Sequence, residues 1–245
     1  MAVDPIESEG FAFQVERSHA GLILAAKPAS DCEPSLGGKL LYAGELDAEA
    51  RTLLVAANIA GAASLATSAD ASAGKQFVRD GVVDFLVTSL SEALRILKNE
   101  IRKRETVAVC VALAPEAVEA EMFERGVAPD LEQPVELAPQ EDQTLLAWRV
   151  ASAPAIWLPR LNAIALDCLS PDSSLAARRW LRLAPRYMGR LAQGIHVLRC
   201  GERSAAKFLE RAREEVMRGE IGVRVELKRI HKGQPECYSF APPGT

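Results

Sequence analysis

The stretch VVDFLVTSLSEALRILKNEIRKRETVAVCVAL, residues 82–113, decides the fold. Two β-type apolar runs, residues 82–87 and 107–113, enclose a segment with Leu90, Leu94, Leu97 and Ile101 spaced by three and four, the signature of one helical face. Thr88 or Ser89 is placed to open that helix as an N-cap. Arg102, Lys103 and Arg104 gather in its last turn, where the negative end of the helix dipole favours cations, so this basic cluster has a structural explanation. A strand, a crossover helix and a second strand of these lengths predict parallel pairing.

The rhythm continues upstream and downstream. KLLYA, residues 39–43, reads as a first strand, residues 46–60 as a helix and residues 62–67 as a second strand. Asp70 is placed as the N-cap of a helix that ends near Gly81, and Pro115 opens a helix that closes at Gly126. The predicted class is α/β, a parallel sheet with helices on both faces.

Residues 129–144, PDLEQPVELAPQEDQT, interrupt the pattern with three prolines and a run of acids. Strands at 145–151, 195–199 and 223–230 follow, with helices at 155–169, 174–193 and 205–219 between them. The predicted organisation is an amino-terminal extension (1–35), an α/β domain (36–133), a linker or loop (134–144) and a carboxyl-terminal α/β region (145–245). That last region either extends the first sheet or forms its own small lobe.

With 245 residues, 49% of them hydrophobic, the chain is long enough to bury a proper core. MAVDPIESEG lacks the basic start of an export signal, and no apolar run approaches the ~20 residues of a membrane span, so the expected location is cytoplasmic. Five scattered cysteines read as reduced thiols, with Cys110 and Cys168 as small core residues. Three histidines without metal-ligand spacing predict no metal site. Residues 1–133 hold 12 Lys/Arg against 21 Asp/Glu, net −9, and residues 134–245 hold 17 against 12, net +5. Opposed halves suggest a basic face for an anionic partner, or two lobes that attract each other.

Residues 36–133 resemble the NAD-binding domain of urocanase (urocanate hydratase). The resemblance lies in Leu36-Gly37-Gly38-Lys39, Ala60-Gly61-Ala62, Ser89-Leu90 with Glu92-Ala93-Leu94, and Glu124-Arg125-Gly126-Val127 with Pro129-Asp130, in that order. It implies a Rossmann-like domain. It also implies ligand positions, and these are altered. The family's glycine-rich phosphate turn corresponds to Gly44-Glu45-Leu46-Asp47-Ala48-Glu49, with one glycine and three carboxylates. A phosphate there meets like charge, at about 4 kcal/mol per pair at about 4 Å before screening. The ribose-binding acid corresponds to Ser68, with Asp70 two residues on. The family's glycine-asparagine pair corresponds to Leu113-Ala114, and its DQT segment to Glu132-Gln133-Pro134. The degenerate cofactor positions are therefore Gly44, Glu45, Ser68, Asp70 and Ala114. No cofactor is expected, NAD included, nor urocanate hydration.

No phosphate loop or nucleophile elbow is present; Ser72-Ala73-Gly74-Lys75 is only a fragment of the former. No catalytic residue is nominated. The constellation above background is DSSLAARRWLRLAPRYMGRLAQ, residues 172–193. Arg178, Arg182, Arg186 and Arg190 recur every four residues along one side, Trp180, Leu181, Ala184, Tyr187, Met188 and Leu191 supply an apolar side, and Pro185 is expected to bend or divide the helix. The ridge is either a solvated face that meets the acidic half or a site for an acidic protein or small anion. A pI of about 5.6 argues against general nucleic-acid binding.

Two functions follow as expectations. One is a non-catalytic interaction or assembly module that pairs with itself or with an acidic protein. The other is an enzyme binding a small molecule, nucleotide or anion at the carboxyl ends of the parallel strands.

Overall fold

A computed structural model describes residues 5–26, 35–131 and 143–244. They form two compact units: residues 14–26, 35–131 and 187–190, and residues 5–13, 143–186 and 191–244.

The first unit is built on β1 (Leu40–Glu45), α2 (Ala48–Ala60), β2 (Ala63–Thr67), α3 (Ala71–Arg79), β3 (Phe85–Val87), α4 (Leu90–Lys103), β4 (Val107–Val111) and α5 (Pro115–Glu124). A preceding helix, α1 (Pro5–Ala26), contributes residues to both units. The strands pair in parallel in the order β1-β2-β4-β3, and an isolated parallel bridge sets Leu131 against Leu41. Leu90, Ala93, Leu94 and Leu97 of α4 and Val118 and Met122 of α5 pack on Leu40, Leu65, Val107, Val109 and Val111. The alternate strand residues Leu41, Ala66, Ala108 and Cys110 are fully buried on the other face, toward α2 and α3. The sheet is therefore α/β and Rossmann-like, with helices on both faces.

The expected caps Asp70 and Ser89 are present, accepting from the Ser72 and Glu92 amides; Asp47 also caps α2 through the Ala50 amide, and Gly61 ends that helix in a left-handed conformation at φ +94°. The third strand is shorter than its apolar run predicts. The Val82 and Val83 amides turn back to the Phe77 carbonyl, and the Asp84 carboxylate takes the Ala108 amide at 2.8 Å, so pairing begins at Phe85.

The second unit carries its own antiparallel sheet in the order β6-β5-β7-β8, and so does not extend the first. Its elements are β5 (Gln143–Val150), α6 (Pro154–Asp167), α7 (Pro171–Met188) as far as Arg186, the end of a 3-10 turn (Gly189–Ala192), β6 (Ile195–Gly201), α8 (Glu202–Met217), β7 (Val225–His231) and β8 (Gln234–Phe240). Trp148, inside β5, packs on Phe208 of α8 at 5.1 Å and donates to Asn162 of α6, which fixes the helix-covered face. β8 was not expected. Lys232 and Gly233, at φ +49° and +77°, form a two-residue turn of the kind that joins tight hairpins. The division at Pro185 does not occur; α7 runs three residues past it and stops where Gly189 takes φ +50°.

Candidate functional site

In an open α/β sheet, ligands sit at the carboxyl ends of the strands, where neighbouring strands send their helices to opposite faces. Here β2 leads to α3 on one face and its neighbour β4 leads to α5 on the other, so that point lies between Thr67 and Val111. Ser68 and Asp70 follow the first strand and Ala114 follows the second. The sheet brings these three together. Gly44 and Glu45 lie one strand away on β1.

Ser68, Asp70 and Gly44 are held by the chain itself. The Ser68 amide donates to the Val111 carbonyl at 3.0 Å and the Ser68 hydroxyl to the Asp70 carbonyl at 3.2 Å, with Ser68 buried. The Asp70 carboxylate caps α3 through the Ser72 amide at 2.8 Å. Gly44 does not form a phosphate turn. It lies inside β1 at φ +72°, where the register with β2 shifts between Tyr42 and Glu45, so the strand bulges and continues to Glu45. The Gly44 carbonyl accepts the Thr67 hydroxyl at 3.1 Å. The true turn is Leu46-Asp47, and the Asp47 carboxylate accepts from the Ala50 amide of α2 at 2.8 Å. Ala114 offers no capping side chain, and Pro115 follows it. Glu132-Gln133-Pro134 lie outside the described residues, as does most of the predicted linker.

The fragments that carry the resemblance have structural partners. Lys39 pairs with Asp130 at 3.1 Å, and the second Asp130 oxygen takes the Leu40 amide at 2.9 Å. Burial works against the Asp130 charge, but the Leu40 amide and the Lys39 ammonium hold its carboxyl below the usual range. A side chain at Gly37 would stand 3.0 Å from the Arg104 carbonyl.

In the second unit, Arg178, Arg182 and Arg186 lie on α7, exposed, opposite the buried Trp180, Leu181, Ala184 and Met188. Arg190 is exposed but lies in the 3-10 turn beyond Gly189, so it does not continue the helical row. Arg186 is engaged by other groups, whereas no described residue bonds or ion-pairs with Arg178, Arg182 or Arg190.

Sequence reasoning missed two polar clusters. The Thr144 hydroxyl lies 2.7 Å from Glu202 and 3.0 Å from His231 Nδ1, and Arg229 pairs with both Glu202 and Glu236. Burial alone would raise the Glu202 carboxyl, but Thr144 and Arg229 hold it below its ordinary value. Thr144 is fully buried and faces the same imidazole nitrogen as Glu202, so it lacks the geometry of an activated nucleophile. The other cluster joins His196 Nδ1 and the Trp148 indole to Asn162 Oδ1, at 2.8 and 3.2 Å. A cavity of about 530 Å³ opens on the sheet, its lining including Glu9, Arg149, Glu226, Lys228, Cys237 and Ser239. Both of its cations are already paired, Arg149 with Glu226 and Lys228 with Glu9.

Burial pushes the Cys110 thiol up to about 11 and that of Cys200 to about 12, leaving both protonated. Among the described residues no group of three metal-ligating side chains converges, and no helix is long and apolar enough to cross a membrane. No protein-family model matches the chain, and no curated protein matches it.

Proposed function

We propose that this chain is a cytoplasmic, non-catalytic interaction or assembly module on a Rossmann-like framework related to that of urocanase, which neither hydrates urocanate nor uses NAD. The observation that carries the reading is the α7 row. Arg178 and Arg182 face solvent with no carboxylate partner among the described residues, on a helix anchored by Trp180 and Leu181. Planar guanidinium groups on a packed helix suit carboxylate surfaces. The partner class is a second copy of the chain or an acidic protein.

The carboxyl end of the parallel sheet supports the same reading. Asp47 and Asp70 occupy helix amides that a phosphate would need, and Glu45, Glu49 and Glu116 surround them with negative charge. One observation favours the alternative, a small-molecule or anion-binding enzyme: α5 begins without a capping side chain beside the β2–β4 switch point.

Thermal denaturation with NAD, ATP, phosphate and organic acids separates the two. A ligand at a hundredfold over its dissociation constant stabilises by about 2.7 kcal/mol. The assembly reading expects no shift with any of them, and a saturable rise with one that is lost on blocking α5 would replace it.

A further inference from the structure

β8 is the outer strand of its sheet and is exposed along most of its length. Its hydrogen-bonding parity follows from the hairpin. A two-residue turn makes the flanking pair His231 and Gln234 a hydrogen-bonded one, and pairs then alternate along the ladder. Glu236, Tyr238 and Phe240 bond inward to Arg229, Leu227 and Val225. Pro235, Cys237 and Ser239 turn their backbone groups outward. The parity explains Pro235, which stands where its missing N–H would have faced solvent. It leaves the N–H and C=O groups of Cys237 and Ser239 as an open two-residue edge; no described residue bonds to them.

That edge is complementary to itself. With two copies antiparallel about an axis at Tyr238, Cys237 faces Ser239 of the other copy and Ser239 faces its Cys237. All four N–H groups and all four carbonyls then pair. Centring on Cys237 instead would set Ser239 against Pro235 and leave the Ser239 carbonyl without a donor.

Lys228 stands beside Cys237 and Glu226 beside Ser239 on one sheet face. The Tyr238-centred pairing puts Lys228 of one copy in the same cross-strand row as Glu226 of the other. The Cys237-centred pairing would align Lys228 with Lys228. On the opposite face, Tyr238, whose ring centroid lies 6.3 Å from that of Phe240, would meet its counterpart across the axis, and Phe240 of one copy would stand opposite Glu236 of the other.

We infer that β8 is a self-association edge, which pairs antiparallel with β8 of a second copy about a two-fold axis at Tyr238 to make one eight-stranded sheet. This names the partner within the assembly reading above and rests on it.

Two variants of the full chain test it in sedimentation and in oxidative cross-linking. Ser239→Pro removes an outward N–H without touching the bond pattern to β7. It is expected to turn a dimer into a monomer with an unchanged far-ultraviolet spectrum. Ser239→Cys sets a thiol opposite the other copy's Cys237, with Cα atoms about 5.5 Å apart, within disulfide range. Mild oxidation is expected to trap it as a covalent dimer, while the wild type stays uncross-linked under the same treatment. A wild type that is monomeric at every concentration overturns the inference. So does a dimer that Ser239→Cys fails to trap, even should Ser239→Pro not fold. A dimer insensitive to Ser239→Pro but dissolved by Arg178→Gln and Arg182→Gln overturns β8 pairing and leaves the assembly reading standing. Co-purification of a foreign strand in place of a second copy also overturns it.

Discussion

His196 makes the stability of the second unit depend on pH in a calculable way. The residue is 9% exposed, its Nδ1 faces Asn162 Oδ1 at 2.8 Å, and burial pushes its pKa from 6.5 down to about 4. Between those values the unfolded chain binds a proton that the folded chain refuses. Stability therefore rises with pH across that window, and it is lost as pH falls from 6.5 toward 4. At about 1.4 kcal/mol per tenfold, the full loss is about 3 kcal/mol. Other groups titrate in the same range, so the comparison must be with His196→Gln, which lacks the imidazole and keeps the rest. Urea denaturation of both proteins from pH 7.5 to 4 should show the wild type more stable at the upper end. That advantage should shrink by about 3 kcal/mol at the lower end. Parallel curves would refute the reasoning, as would an imidazole that titrates near 6.5 by NMR in the folded protein.

The remaining predictions concern the first unit and α7. Asp130→Asn should weaken the folded protein at neutral pH by loosening Lys39 and the Leu40 amide; since the folded carboxyl titrates below its usual value, the difference should vanish as pH falls through the carboxylate range, measured by melting temperature. Asp47→Ala should cost about 1 kcal/mol in urea denaturation by uncapping α2, without creating affinity for NAD, because Glu45 and Glu49 remain. Arg178→Gln with Arg182→Gln should leave the melting curve unchanged, since neither arginine has a partner among the described residues, while binding to immobilised polyglutamate weakens in low salt.

The alternation of residues 39–127 was legible because each strand is a short apolar run and the helix starts carry local signals: Asp70 and Ser89 cap α3 and α4, and Pro115 opens α5, in the sequence and in the structure. Strand order was not legible, since nothing local distinguishes a sheet that runs β1-β2-β4-β3 from other parallel orders. β8 escaped because Gln234, Pro235 and Glu236 are polar or ring-constrained; an exposed edge has no apolar face to announce it. The Lys232-Gly233 pair was the available signal. At the candidate site, the sequence placed Ser68, Asp70 and Ala114 near strand ends but could not reveal the bulge that draws Gly44 into β1, because a bulge is a property of pairing. The arginine period of four held through Arg186 and broke at Gly189, a residue whose positive φ only the backbone discloses.

Native mass spectrometry of the full chain in the presence of NAD tests the central claim most directly. The account predicts a species of twice the 26.4 kDa chain mass with no nucleotide adduct. A monomer that carries one NAD would contradict it.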